Sequence, residues 1–294
     1  MNSQKLVLTL AIAALLTACQ AAGSTEEQDL GPGGGASNGS QDNQEGVVQL
    51  DPQLPTGVHL QAAFELPETL EGMPTTHDEL RYLVYLPEGY EQDSSRDWPM
   101  IFFLHGSGDE EYDSTFVLSF GLPAVLLAGE QPEDFPFVVI SPQAFPGEVW
   151  WSPEMLAALG ALLDEVSDTY RVDSDRVYLT GLSMGGYGSW WLATAYPERF
   201  AAMVSISGSG YRTPFVPEPE TLCRLAEVPV WAIHGALDRI SEAGASQMNA
   251  LALEQQCTAD VEWTLYEDEG HLGAYERAYR DPALYEWMLE HSRR

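Results

Sequence analysis

The sequence is short of basic residues, and this scarcity limits the partners that it can have. Only 13 Lys and Arg stand against 45 Asp and Glu in 294 residues, and Lys5 is the sole lysine. The formal net charge of −32 would repel nucleic acid and anionic membrane surfaces, because both carry dense negative charge. We therefore expect no nucleic-acid partner. An acidic surface without functional meaning explains the charge equally well.

Cysteine and metal-ligand patterns are scarce too. The chain has three cysteines, Cys19, Cys223 and Cys257. No spacing of His, Cys and Asp is typical of a metal site, so the sequence predicts none.

The N-terminus resembles a bacterial lipoprotein signal. A short start ending at Lys5 is followed by an apolar run over 6–16, which is too short to span a bilayer as a permanent helix. It ends in Leu-Thr-Ala-Cys, which is similar to a lipobox. That resemblance implies a signal peptide over 1–18 and a lipid on Cys19. We expect an exported protein that contacts a membrane through this lipid alone, at the cell surface or on the periplasmic side. An ordinary signal peptide is the alternative.

Residues 19–55 have too little apolar matter to form a core, because Gly, Ser, Gln, Asn and acidic residues dominate. We predict a flexible linker there and a single folded domain over 56–294. The oligomeric state is left open by the sequence.

The domain begins with two runs that alternate apolar and polar residues, 58–66 and 80–86, which predict antiparallel edge strands. Continuous apolar runs follow, as expected of strands buried on both faces. These runs are 100–104, 137–140, 177–180, 202–206, 230–233 and 261–266. Helical stretches alternate with them, at 122–129, 153–170, 187–196, 241–256 and 282–291. This alternation predicts an α/β fold with a mostly parallel central sheet and helices on both faces.

The segment that organises the chain is Gly-Leu-Ser-Met-Gly at 181–185, with its serine at Ser183. A strand, a sharp turn and a helix are the context of a nucleophile elbow, which strains the serine backbone and exposes its hydroxyl. Gly181 and Gly185 are needed because a Cβ at either position would collide across the turn. A glycine-rich turn with an incidental serine is the alternative.

A serine nucleophile needs a base, and the base needs an acid to fix its tautomer. His234 and Asp238 follow one buried run, and His271 follows the next. Catalytic groups lie at the carboxyl ends of parallel strands, so we predict Asp238 as the acid and His271 as the base. His234 is expected to pack at the end of its strand. The competing acids are Glu242, Asp268 and Glu269.

Two loops at strand ends are candidates for the rest of the site. Leu-His-Gly-Ser-Gly at 104–108 ends the first buried run, and backbone N–H groups of Gly106 or Ser107 with that of Met184 would form an oxyanion hole. A glycine-rich turn is the alternative. Trp150 and Trp151 would form an apolar wall for the substrate, or else belong to the core.

Cys223 and Cys257 each precede a predicted strand by a few residues. If those strands are neighbours in a parallel sheet, the two cysteines lie at the same edge and can form a disulfide. Two free thiols are the alternative.

Together these motifs resemble the α/β-hydrolase superfamily over about residues 80–291. The likeness is greater to bacterial esterases related to dienelactone hydrolase, prolyl oligopeptidase-type enzymes, polyhydroxybutyrate depolymerase and feruloyl esterase. It rests on segments 81–87, 103–106, 141–143, 150–151, 176–186, 234–238 and 270–271. The resemblance implies that Ser183 is the nucleophile, His271 the base and Asp238 its orienting acid. Relatives often have proline where this chain has Arg239, and Asp-Ser-Trp where it has Leu-Gly-Ala at 272–274.

We therefore predict a serine carboxylesterase that acts through an acyl-enzyme on short-chain or aromatic acyl esters, in a small molecule or a polymer fragment. The resemblance implies no cofactor. A serine peptidase acting on small peptides is the alternative enzyme, and a non-catalytic hydrolase-fold binding lipoprotein is the alternative outside enzymes.

Overall fold

The computed structural model describes residues 56–108, 114–208 and 219–293. The predicted signal peptide, the lipid site at Cys19 and the linker up to residue 55 lie outside these ranges. Within them, no helix is both long and apolar enough to cross a membrane.

An eight-stranded sheet forms the centre of the described chain, in the order β1-β4-β6-β5-β7-β8-β9-β10. Its strands are β1 (His59–Glu65), β4 (Glu79–Tyr85), β5 (Trp98–Leu104), β6 (Val138–Pro142), β7 (Val172–Leu182), β8 (Ala202–Ile206), β9 (Val230–Gly235) and β10 (Val261–Tyr266). The strands from β6 through β10 pair in parallel. Strands β5, β6 and β8 are buried throughout, as their continuous apolar sequences predict.

The two N-terminal strands are antiparallel as predicted, but only β1 is an edge strand. β4 pairs with β1 on one side and with β6 on the other, antiparallel to both. The alternation of β4 gives way to a buried run over residues 82–85, which fits a strand between two others. A small separate hairpin of β2 (Thr69–Leu70) and β3 (Met73–Pro74) was not predicted.

Helices alternate with the strands. They are α1 (Ser114–Val117), α2 (Gly121–Ala128), α3 (Pro153–Thr169), α4 (Met184–Ala195), α5 (Pro219–Leu222), α6 (Ala243–Cys257), α7 (His271–Arg280) and α8 (Pro282–Glu290). Five of these match the predicted stretches to within a few residues, whereas α1, α5 and α7 were not predicted. The start of α3 follows its sequence, because Ser152 accepts a hydrogen bond from the N–H of Met155 and Pro153 fills the first turn.

Cys223 and Cys257 form a disulfide, as predicted, with their Cα atoms 5.0 Å apart. The premise also holds, because β9 and β10 are parallel neighbours. Both cysteines precede the strands and therefore lie towards the amino ends of β9 and β10, away from the edge where the strands end.

Candidate active site

The predicted site residues converge because the carboxyl ends of five neighbouring strands are in register. Leu104 at the end of β5 pairs with Gly181 of β7, and Leu182 pairs with Ile206 of β8. Further along, Gly235 of β9 pairs with Tyr266 of β10. The loops that follow these strands therefore leave the sheet along one edge, where ligands bind in open α/β sheets.

Ser183 occupies the turn between β7 and α4 in a strained conformation. Its backbone has φ 53° and ψ −117°, a region that L-residues rarely adopt. The N–H of Ser183 donates to the carbonyl of Ile206 at 2.9 Å, which fixes the turn to the neighbouring strand. The strained serine that a nucleophile elbow requires is thus present.

The glycines around Ser183 are required by the close approach of backbone segments. A Cβ on Gly181 would stand 2.3 Å from the carbonyl oxygen of Gly185, and one on Gly185 would stand 1.9 Å from that of Leu104. Neither contact can be relieved by a side-chain rotation, because backbone atoms lie on the other side. The predicted reason for both glycines is confirmed.

The structure brings Asp238 and His271 together. Nδ1 of His271 lies 2.7 Å from Oδ2 of Asp238, whose side chain is fully buried. The other oxygen, Oδ1, accepts the backbone N–H groups of Ile240 and Ser241 at 2.8 and 3.0 Å. Burial alone would raise the pKa of Asp238, but these hydrogen bonds outweigh it and lower the pKa. The carboxylate is therefore ionised and fixed against the imidazole.

The loops that follow β9 and β10 are fastened to each other. The N–H of Leu237 donates to the carbonyl of Glu269 at 2.9 Å. A Cβ on Gly235 would stand 2.5 Å from that same carbonyl oxygen, so this glycine permits the close approach. His271 itself is the first residue of α7, a helix that the sequence did not predict.

Ser183 and the Asp238–His271 pair stand at the ends of β7 and of β9 and β10, with β8 between them. Among the described residues, no hydrogen bond joins the Ser183 hydroxyl to the His271 imidazole. In free enzymes the nucleophile–base contact is often long and shortens only with substrate, so the arrangement is compatible with catalysis.

The predicted oxyanion loop reaches the elbow. A Cβ on Gly106 would stand 3.4 Å from the Cβ of Ser183 and 2.7 Å from the Leu182 side chain. Gly106 is buried, whereas Ser107 is exposed. Met184 begins α4 directly after Ser183, so its backbone N–H has no partner inside the helix. The backbone groups needed for an oxyanion hole are therefore near the serine, and their role stays a prediction.

His105 holds this loop through backbone contacts. Its Nε2 accepts the N–H of Ala144 at 3.1 Å, so Nδ1 carries the proton and donates to the carbonyl of Gly106 at 2.6 Å. Burial lowers the pKa of His105 to about 4, against the opposing effect of the Gly106 hydrogen bond. The ring is therefore neutral near pH 7. The sequence showed the His-Gly pair but gave no sign of this contact.

The paired tryptophans separate into two environments. Trp150 is fully buried, and its Nε1 donates to the carbonyl of His105 at 2.8 Å. It supports the core beneath the loop, so of the two readings left open by the sequence Trp150 follows the core alternative. Trp151 is partly exposed and packs against the Tyr187 ring of α4, with the ring centres 5.9 Å apart.

His234 has a closer relation to the site than predicted. It is fully buried at the end of β9, and its Nε2 lies 3.0 Å from Oδ2 of Asp238. The predicted packing at the strand end is right, but the contact with the acid was missed. The four-residue spacing of His234 and Asp238 was the only available signal.

No group of three or more His, Cys, Asp or Glu in the described ranges could hold a metal.

Comparisons with known proteins point to esterases. A family model named Esterase, described as "Putative esterase", matches residues 159–251, which include Ser183 and Asp238 but not His271. The chain is 35% identical over 79 residues to "Putative esterase NocK" from Nocardia uniformis subsp. tsuyamanensis, a match covering 26% of this chain and 21% of that protein. It is 28% identical over 130 residues to "Probable feruloyl esterase C" from Aspergillus terreus, covering 43% and 46% respectively. The matches thus span less than half the length of these relatives.

The fold has solved counterparts. A structure described as a thermostable esterase aligns with 80% of this chain and 63% of its own, at 26% identity and a TM-score of 0.63. The prediction of an α/β-hydrolase fold is confirmed, as is the resemblance to α/β-hydrolase esterases. Together these likenesses support an esterase-type hydrolase.

Proposed function

We propose that this α/β-hydrolase-fold chain is an exported, membrane-anchored serine carboxylesterase. The observation that carries the catalytic part is the Asp238–His271 pair, joined at 2.7 Å, on the same sheet edge as the strained Ser183. A buried carboxylate paired with an imidazole beside a serine elbow is the arrangement that activates a serine hydroxyl.

The proposed reaction has two halves. Ser183 Oγ attacks the ester carbonyl while His271 Nε2 takes its proton, and Asp238 stabilises the resulting imidazolium. The imidazolium then protonates the leaving alcohol, which leaves an acyl group on Ser183. In the second half, His271 takes a proton from water, the hydroxide attacks the acyl carbonyl, and the acid departs as Ser183 regains its proton.

The oxyanion of each tetrahedral intermediate would be bound by the N–H of Met184 and by an N–H of Gly106 or Ser107. The helix dipole of α4 adds positive potential at that point, since its N-terminus faces the elbow. Because these donors are fixed by backbone structure, they need no rearrangement when charge develops.

Exposed apolar side chains flank the acid–base pair in the chain. Leu237 precedes Asp238 and Leu272 follows His271, and they are 60% and 53% exposed. Together with the partly exposed Trp151, they support a substrate with an apolar or aromatic portion. The likeness to a protein named a feruloyl esterase favours the same class. The substrates we propose are short-chain or aromatic acyl esters.

A direct test compares wild type, Ser183→Ala and a control, Ser95→Ala, on p-nitrophenyl acetate and on a peptide anilide. Ser95 is exposed and bonds only Asp93 locally among the contacts described. We expect ester turnover in wild type and the control and none above background in Ser183→Ala. Anilide hydrolysis that exceeds ester hydrolysis would favour a peptidase. Absence of turnover, and of labelling by a fluorophosphonate, would favour a binding protein.

The anchoring part of the proposal rests on the lipobox-like sequence ending at Cys19. Expression in a bacterial host should give a protein that partitions into the detergent phase of Triton X-114, whereas Cys19→Ser should move it to the aqueous phase. Equal partitioning of the two proteins would contradict lipid attachment at Cys19.

A further inference from the structure

Two histidines share one oxygen of Asp238. His271 Nδ1 lies 2.7 Å from Oδ2, and His234 Nε2 lies 3.0 Å from the same atom. His234 and Asp238 stand four residues apart at the end of β9, whereas His271 follows β10, so a tertiary contact brings the second histidine to the shared oxygen. The mechanism proposed above uses only His271.

The contacts of His234 define where its proton lies. Its Nε2 also lies 3.2 Å from the carbonyl oxygen of Ser241, and neither that oxygen nor the carboxylate of Asp238 has a proton to give. The Ser241 hydroxyl is 3.2 Å from Nε2 as well, but it has a nearer acceptor in the Ser207 carbonyl at 2.8 Å. Its Nδ1 faces the hydroxyl of Ser246 at 2.8 Å, which can donate. A neutral ring that carries its proton on Nε2 can donate to Asp238 and accept from Ser246. The opposite tautomer would set a lone pair against a carboxylate.

Ser246 is also close to a second acceptor, the carbonyl of Gly208, at 2.6 Å. Its single proton serves either that carbonyl or His234. A doubly protonated ring would relieve the competition, but burial lowers the pKa of His234 even though Asp238 acts to raise it. The titratable groups that face the ring are Asp238 and His271. The ring therefore stays neutral near pH 7.

We propose that His234 is a positioning residue that holds Oδ2 of Asp238 towards His271 through its Nε2–H. The inference rests on the proposed esterase function. Oδ1 is fixed by two backbone N–H groups, but without His234 the orientation of Oδ2 depends on the Ser241 hydroxyl, 3.1 Å away, and on His271 itself. A neutral donor adds no positive charge next to the imidazolium that forms on His271.

Two neutral amides test this with matched chemistry. The amide nitrogen of His234→Gln can reach the place of Nε2 and donate to Asp238, whereas His234→Asn reaches only the place of Nδ1, near Ser246. We expect kcat for p-nitrophenyl acetate to fall about tenfold or more in the Asn variant, with KM within about twofold, and to stay within about threefold in the Gln variant.

The pH profile separates positioning from loss of structure. Without the His234 donor, more of the carboxylate charge is available to the His271 imidazolium, so the acid limb of kcat/KM should move to higher pH in the Asn variant only. His59, a part-buried histidine that contacts the Pro123 carbonyl, is the control. His59→Asn and His59→Gln should change neither kcat nor the profile. Equal kcat and equal profiles in the two His234 variants would overturn the proposal.

An NMR measurement keeps the inference testable if the variants fold poorly. In Ser183→Ala protein labelled with ¹⁵N histidine, His234 should be neutral and protonated on Nε2 from about pH 7 to 9. A proton on Nδ1 alone would overturn the proposal. This result does not depend on turnover, so it is separable from failure of the esterase function, which would appear as an inactive wild type or an active Ser183→Ala.

Discussion

Two His-Gly pairs end two strands of the same sheet, and the chain uses them differently. His105-Gly106 follows β5 and His234-Gly235 ends β9, and both rings are buried with a lowered pKa. The ring of His105 is held by the backbone groups of Gly106 and Ala144. The ring of His234 binds the side chains of Asp238 and Ser246. The same dipeptide thus shapes a loop on one side of Ser183 and orients a carboxylate on the other.

The largest expected effect on kcat comes from removing the carboxylate of Asp238, which His234 contacts and His105 does not. Asp238→Asn keeps the size of the side chain but presents an amide to His271, which favours the wrong tautomer. We expect kcat for p-nitrophenyl acetate to fall about 10⁴-fold, with circular dichroism unchanged.

Asp268→Asn is the matched control for Asp238→Asn, because Asp268 lies in the loop after β10 with a side chain that is 78% exposed and, among the described residues, paired only with Arg277. It should retain wild-type turnover. Full activity in Asp238→Asn would show that the acid has been assigned to the wrong residue.

The next largest effect on kcat is expected from replacing His105. His105→Ala removes the donor to the Gly106 carbonyl and the acceptor for Ala144, so the oxyanion loop loses its fixed shape. We expect kcat to fall about 10²-fold. Because His105 acts on the backbone and does not contact Asp238 or His271, the acid limb of the pH profile should stay where it is. A shifted limb, measured from kcat/KM between pH 5 and 9, would mean that the two His-Gly pairs are not functionally distinct.

The disulfide encloses the segment that contains His234 and does not enclose His105. The segment between Cys223 and Cys257 contains all of β9 and most of α6, and with them His234, Asp238 and Ser246. A loop with this sequence separation of 34 should contribute about 3 to 4 kcal/mol to the free energy of unfolding.

The double variant Cys223→Ser with Cys257→Ser should therefore unfold at lower urea concentration while kcat at 25 °C stays unchanged, since both cysteines lie at the opposite edge of the sheet from Ser183. An unchanged urea midpoint would show that the disulfide does not stabilise the folded protein.

The smallest effect concerns stability against pH. The pKa of His105 is about 4 in the folded protein and about 6.5 when exposed, so the unfolded chain binds the proton first as pH falls. The stability from this neutral ring is complete above pH 6.5 and is lost between pH 6.5 and 4. The drop in unfolding free energy between pH 7 and 4.5, measured by urea denaturation, should be smaller in His105→Gln by on the order of 1 to 3 kcal/mol. An equal drop in both proteins would contradict a neutral buried ring.

The sequence patterns predicted the strands of the sheet, because continuous and alternating apolar runs directly reflect how strands are buried. The patterns did not predict α7, because its first turn contains Gly273 and its N-cap, Gly270, offers no capping side chain. Nor could they separate Trp150 from Trp151, because the hydrogen bond that Trp150 donates to the His105 carbonyl joins segments far apart in the sequence. The convergence of His234 on Asp238 depends on the turn after β9, which has no distinctive sequence signal beyond spacing.

The central claim is that Ser183 becomes covalently acylated. Quenching the reaction with a slowly hydrolysed aryl ester in acid, followed by peptide mass spectrometry, tests it most directly. We predict one acyl group, on Ser183, in wild type and none on that peptide in Ser183→Ala. An acyl group on another residue, or rapid turnover with no acylated protein at any time, would contradict the account.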